Sequence, residues 1–226
     1  MCRLLFVFLL LGGVATRRLL AQVPPQAPVT PAGTLDRALE SELVTILGED
    51  QKYRLQIGAV QKKSGGDSTE MRELWKVINE KDAANLVRVE AILDRRGWLG
   101  PGEVGPQGNV ALFLVIQHAD LKTQEKYLPM MRLAVKAGRA QASQLALLED
   151  RVALGEGRRQ TYGSQIGMDE AGAAHVRPLE DPDQVDRRRA SVGLGPLAEY
   201  VRQWGITWDA EAYKRQLPQL EAAKPW

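Results

Sequence analysis

A histidine stands at the end of the most apolar stretch of the chain, where Val110 to Ile116 gives way to Gln117-His118-Ala119-Asp120. An imidazole in that position is costly to bury without partners, and it is the side chain best suited to move a proton near neutral pH. General acid or base work needs one ring nitrogen at the substrate and the other held by an acceptor; Asp82 or Asp150 can serve as that acceptor. Some 40 residues later comes Gln160-Thr161-Tyr162-Gly163-Ser164-Gln165, whose Gln160, Tyr162 and Gln165, with Gln117, offer hydrogen bonds to a substrate or a developing charge. Asp150 and Arg151 reach the same place from the side, unless they are a surface acid and an arginine laid along a helix. No serine or threonine stands in an activated position, and the one cysteine, Cys2, precedes the mature chain, so water is the attacker in a hydrolase with His118, Asp82 and Tyr162 as its catalytic set.

Two other readings use the same residues. In one, the amides, phenol and imidazole recognise a small polar ligand, a sugar or a peptide without turning it over. In the other, they form a satisfied polar core that fixes helix register. A metal version takes His118 with Asp50 and Asp82; a lone histidine without a paired-ligand motif argues against zinc. Calcium or magnesium stays open, although no loop has their oxygen-ligand spacing, and no cofactor is called for.

Helices must position these groups. Leu35, Leu39, Leu43, Ile46, Tyr53, Ile57 and Val60 recur at three and four residue steps, with Asp50 in the one gap, until Gly65-Gly66. Asp67 and Glu70 stand in capping-box spacing before Met71, Trp75, Ile78, Leu86, Val89 and Leu93, with Asp82 in the gap. Each helix thus turns one aspartate inward. The glycines from Gly97 to Gly108 lack the lysine and hydroxyl of a phosphate loop and read as a tight turn beneath Trp98. Asn109 then caps a buried helix over 110–119, and Asp120 caps the next, 121–137, which turns Tyr127, Leu128, Met131 and Val135 inward. Ser143 caps a helix over 144–154. Gln160-Thr161-Tyr162 reads as a short extended piece, His175 as an exposed loop residue, and 184–192 and 197–204 as helices.

The expected organisation is a signal peptide over 1–21, a Pro-rich linker over 22–34, a mainly α, single irregular helical domain over 35–205 with about six to eight helices and at most a short extended segment, and a C-terminal tail over 206–226. Leu4 to Val14 is an uncharged core behind Arg3, too short for a stable membrane span, so the mature protein is expected to be secreted or periplasmic. Thirty Lys+Arg against 28 Asp+Glu, interleaved along the chain, give no basic stripe for nucleic acid. Arg187-Arg188-Arg189 reads as a solvated helix face balanced by Asp181, Asp183 and Asp186.

Trp75 with Asp82, Gly97-Trp98, the Gln117 to Asp120 block, Tyr127-Leu128-Pro129, Leu147 to Arg151, the Gln160 to Gln165 block, and Val185-Asp186 with Arg188-Arg189 and Gly193-Leu194 together resemble a bacterial family of domains of unknown function. The resemblance spans roughly Leu35 to Tyr200 and implies a mostly helical, often exported domain; it implies no activity or ligand.

Overall fold

Apolar steps of three and four residues become helices, and glycine and proline turn the chain between them. The structure, a computed structural model, describes residues 34–169 and 172–223. The expected signal peptide, all of the expected linker except Thr34, and Trp226 lie outside the described residues. The elements are α1 (Arg37–Arg54), α2 (Ile57–Ser64), α3 (Thr69–Arg96), α4 (Pro101–His118), α5 (Leu121–Lys136), α6 (Ala142–Gly155), β1 (Ile166–Met168), β2 (Ala174–Val176), α7 (Val185–Ser191), α8 (Leu197–Val201) and α9 (Ala210–Ala222), with 3-10 turns at Pro182–Gln184 and Arg202–Trp204. The fold is mainly α, with a small antiparallel sheet of β1 and β2. Among the described residues no helix is long and apolar enough to cross a membrane.

Contacts divide the described chain into two compact units, 34–115 with 137–139, and 116–136 with 140–223. In the first, α1 buries Leu39, Leu43, Ile46, Asp50 and Arg54, and α3 buries Met71, Leu74, Ile78, Asn85, Val89, Ile92 and Leu93. Ion pairs run Asp36 to Arg96, Glu42 and Glu49 to Arg88, and Asp82 to Arg54, so the two helices lie antiparallel. The first apolar stripe is broken where the spacing predicts continuity: α1 ends at Arg54, Leu55 is 54% exposed, and α2 restarts at Ile57. On α3 the inward face is rotated from the expected one, so that Leu74 and Asn85 are buried while Trp75 and Leu86 are only partly covered. Its cap is Ser68, whose hydroxyl accepts from Met71 N at 3.1 Å; Asp67 does not cap it, and Glu70 instead accepts from the Ser64 hydroxyl at 2.6 Å.

The glycine-rich stretch is helical rather than a tight turn. Pro101 and Pro106 each open a helical run, and Gly105 (φ 68°, ψ 163°) forms the break between them, in a region that favours glycine. Asn109 is therefore inside α4 and does not cap it; its amide donates to Leu99 O and Arg139 O, both at 2.8 Å.

In the second unit α5 packs on α6, and Gly155 gives the room, since a Cβ there would lie 2.6 Å from Leu121 Cδ1. Asp120 caps α5 as the spacing predicts, accepting from Thr123 N at 2.8 Å. The cap expected at Ser143 is absent, because α6 already begins at Ala142. Val176, Leu179, Val185, Leu197, Val201, Tyr213 and Leu217 form the core beyond α6. Residues 210–222, expected in a tail, make α9 and supply Tyr213 and Leu217 to that core.

Candidate functional site

The second unit is organised around one irregular segment, 160–165. The Gln160 backbone is bridged, its nitrogen donating to Pro178 O and its oxygen accepting from Glu180 N, both at 2.9 Å; beyond it the backbone has no helix or sheet to satisfy it, so side chains must. Asp150, fully buried on α6, does most of this: Oδ1 accepts from Thr161 N at 2.6 Å and Tyr162 N at 2.9 Å, and Oδ2 accepts from Ser164 N at 2.9 Å. The carbonyls are met from the other side. Arg188 donates to Thr161 O at 2.8 Å, Arg189 to Tyr162 O at 2.8 Å, and the Tyr200 hydroxyl to Ser164 O at 2.8 Å. Gln160 closes the ring: its amide donates to Gln165 O at 3.0 Å and Arg177 O at 2.8 Å, while its oxygen accepts from Gln165 N at 2.8 Å. The turn at Gly163 (φ 69°) brings Gln160 and Gln165 together.

Three expectations are corrected here. Asp150 is an interior anchor and not half of a surface acid pair; Glu149 alone takes the surface, accepting from Arg132 at 2.8 Å. Arg187 to Arg189 is not a solvated face throughout, because Arg189 is 2% exposed, donates also to Gly195 O at 2.6 Å and lies 4.8 Å over the Tyr200 ring. Gln160-Thr161-Tyr162 is extended only at its start: Gln160, wholly buried, makes an isolated parallel bridge with Leu179, Tyr162 is half-buried in the turn that follows, and the two-stranded sheet begins at Ile166. The sequence reading missed Arg188, Arg189 and Tyr200. The one signal for them is the polar, glycine-broken segment itself, whose backbone needs donors and acceptors from elsewhere in the chain.

His175 is likewise no exposed loop residue. It stands in β2 opposite Gly167, where a Cβ would meet its Nε2 at 2.6 Å, and burial, with Arg177 beside it, pushes its pKa down.

The end of α4 comes to the same place as the pinned segment. Gln117 is buried beside the Leu147 carbonyl and Arg151; its amide, turned so that the oxygen faces the guanidinium, accepts from Arg151 Nε at 2.9 Å and Nη2 at 3.2 Å. Gln165 Nε2 lies 3.5 Å from the same Leu147 carbonyl and donates to the Ser164 hydroxyl at 2.9 Å. Gln124 secures the helix end by donating to Gln117 O at 3.1 Å and Ala119 O at 2.8 Å. His118, the last residue of α4, is half-buried, with its Nε2 among the buried atoms. Gln117, His118, Asp150, Arg151, Gln160, Tyr162 and Gln165 thus belong to one unit, and Asp82 to the other.

Burial, then the charges of Glu149 and Asp150, push the Tyr162 phenol up, against Arg188 and Arg132, so it is a neutral donor at ordinary pH. Its hydroxyl makes no hydrogen bond among the described residues. Burial also pushes the Asp150 carboxyl up, and the amide donors pull it back.

In the first unit Asp50 and Asp82 turn inward as their spacing predicts, and each brings a carboxylate oxygen within 4.8 Å of the other's. Arg54, which the sequence reading did not single out, grips both oxygens of Asp82 at 2.8 and 2.7 Å and donates to Asp50 O at 2.9 Å.

Residues 37–214 match a family described as "Family of unknown function (DUF6624)". The chain belongs to this family. No curated protein and no solved structure matches it. The family span includes α1 through the first turns of α9, and so both the Asp50–Asp82 pair and the pinned segment.

Proposed function

We propose that this member of the family is an exported, non-catalytic binding module for a small polar ligand, read out by Tyr162 with His118 and Arg151. The observation that carries this reading is the treatment of Tyr162. Its backbone nitrogen is held by Asp150 and its backbone oxygen by Arg189, while its half-buried phenol has no protein partner among the described residues. A rigid backbone presenting an unengaged donor lowers the entropy cost of recognition, which is how preorganised sites gain affinity. Hydrolysis is favoured less, because both oxygens of Asp150, one of the two acids able to orient the imidazole, serve the loop amides.

The test is a panel of sugars, amino acids and short peptides, with melting temperature and calorimetry read on wild type, Tyr162→Phe and His118→Ala. A ligand at about 100 times its Kd stabilises the fold by about 2.7 kcal/mol. The expected result is such a gain in wild type and its loss in Tyr162→Phe, whose ligand-free melting is unchanged. Turnover of ester, amide or glycoside substrates that disappears in His118→Ala replaces the binding reading with the hydrolase. A panel that stabilises wild type and Tyr162→Phe equally moves the ligand away from this segment.

A further inference from the structure

Two side chains of β2 share one glycine. His175 and Arg177, two residues apart and so on one face of the strand, both lie over Gly167 of β1: a Cβ there would meet His175 Nε2 at 2.6 Å and Arg177 Cγ at 3.4 Å. Val176, between them, points the other way, into the core of the second unit. Arg177 is buried and donates from Nε to Ile166 O at 3.4 Å, so this face already carries one covered cation. A proton on the half-buried His175 sets a second beside it. The groups facing the ring act unequally. Loss of water and the Arg177 charge oppose a charged imidazole; Asp169, just past β1, and the Ala173 backbone favour it and count for less.

The same strand closes the pinned segment. Next to the Ile166–Val176 pair, Arg177 N donates to Gln165 O at 3.1 Å, and the Gln160 amide spans Gln165 O at 3.0 Å and Arg177 O at 2.8 Å. Parting β2 from β1 at His175 therefore begins two residues from the bonds that hold the segment shut. We propose that His175 is a proton-operated latch on the segment that carries Tyr162: neutral, it lies over Gly167 and keeps β1 paired with β2; protonated, it turns away from Arg177 into water, the hairpin frays, and the bonds among Gln160, Gln165 and Arg177 open with it. A half-buried ring reaches water by a change of rotamer alone. Because the folded hairpin favours the neutral ring, the latch is shut above about pH 6.5 and opens as pH falls through the folded-state value. It governs the order of the segment whether or not Tyr162 binds a ligand, so it and the binding reading can each fail alone.

The test is amide hydrogen exchange by NMR on the whole mature chain from about pH 8 to about pH 5, with the His175 ring protons read in the same samples. Exchange is expressed as protection relative to the unstructured rate at each pH. Protection at Arg177 N and Gln165 N is expected to fall at least about tenfold, with a midpoint that follows the His175 ring titration, while the α6 amides keep theirs. His175→Gln, polar and never charged, is expected to hold protection at both amides over the whole range. The proposal is overturned if the wild-type ring titrates fully while both amides stay within about twofold, a readout that needs no variant. An equal fall in His175→Gln also overturns it, and so does a fall shared by the α6 amides, which marks acid unfolding of the whole unit.

Discussion

Asp150 shows how much one carboxylate can hold. Replacing it with asparagine removes the charge, leaves one oxygen for Thr161 N and Tyr162 N, and turns an NH2 group against Ser164 N. A loss of about 3 kcal/mol is expected, since hydrogen bonds to a charged group contribute about 1.5–3 kcal/mol each. Urea unfolding of Asp150→Asn measures it; a change below about 0.5 kcal/mol contradicts the account of the pinned segment. Tyr213→Phe is a milder case. The hydroxyl accepts from Leu179 N at 2.6 Å and donates to Arg177 O at 3.0 Å; Arg177 O keeps the Gln160 amide as donor, so removal of the hydroxyl leaves one interior backbone group, Leu179 N, unmet, at about 1–3 kcal/mol. His175 supplies the pH dependence. Burial and Arg177 hold its folded-state pKa below that of the unfolded chain, so the unfolded state takes up more protons in acid. Its contribution to stability is therefore present above about pH 6.5 and is lost as pH falls through the folded-state value. His175→Gln should flatten the fall in melting temperature over that interval; equal slopes for the two proteins would exclude this role.

At the scale of elements, the ion pair between α1 and α3 and the turn at Gly163 are the joints most exposed to substitution. Arg54→Met leaves two inward carboxylates facing each other without their guanidinium, and about 3 kcal/mol of stability should go with it. The low end of the range for buried pairs applies because Asp82 keeps 20% of its side-chain exposure. Gly163→Ala meets two obstacles, a positive φ and Leu197 Cδ1 at 3.0 Å, and a loss of about 1–3 kcal/mol is expected on thermal melting. At this scale local chemistry decides some features and packing decides others. The inward turn of Asp50 and Asp82 and the cap at Asp120 were legible because helical period and capping chemistry are local. The break at Leu55, the rotation of the α3 face by one residue and the helical start at Pro101 were not. A stripe about 100° wide tolerates such a rotation, and a glycine permits a break as readily as a turn.

For the whole molecule, the export expectation makes a direct prediction: expressed with its own N-terminus in a secreting host, the protein should be recovered outside the cytoplasm and lighter by about 20 residues on intact mass, as signal removal requires. Recovery of the full-length chain in the cytoplasm would remove export from the proposal. The sequence by itself determined the class of the fold, most helix positions, the resemblance borne out by the family match, and which polar residues stand out from their apolar surroundings. Those are properties of period, capping and composition, which need no knowledge of distant neighbours. Only the tertiary structure decided what the polar residues do. Gln160 and Asp150 look like ligand-facing groups in the sequence, yet they hold backbone, because an irregular segment beside α6 and α7 finds most of its donors and acceptors in side chains that lie 11 to 36 residues away. Arg189 reads as solvated for the same reason: whether a guanidinium meets water or a carbonyl is fixed by packing, which no local pattern encodes.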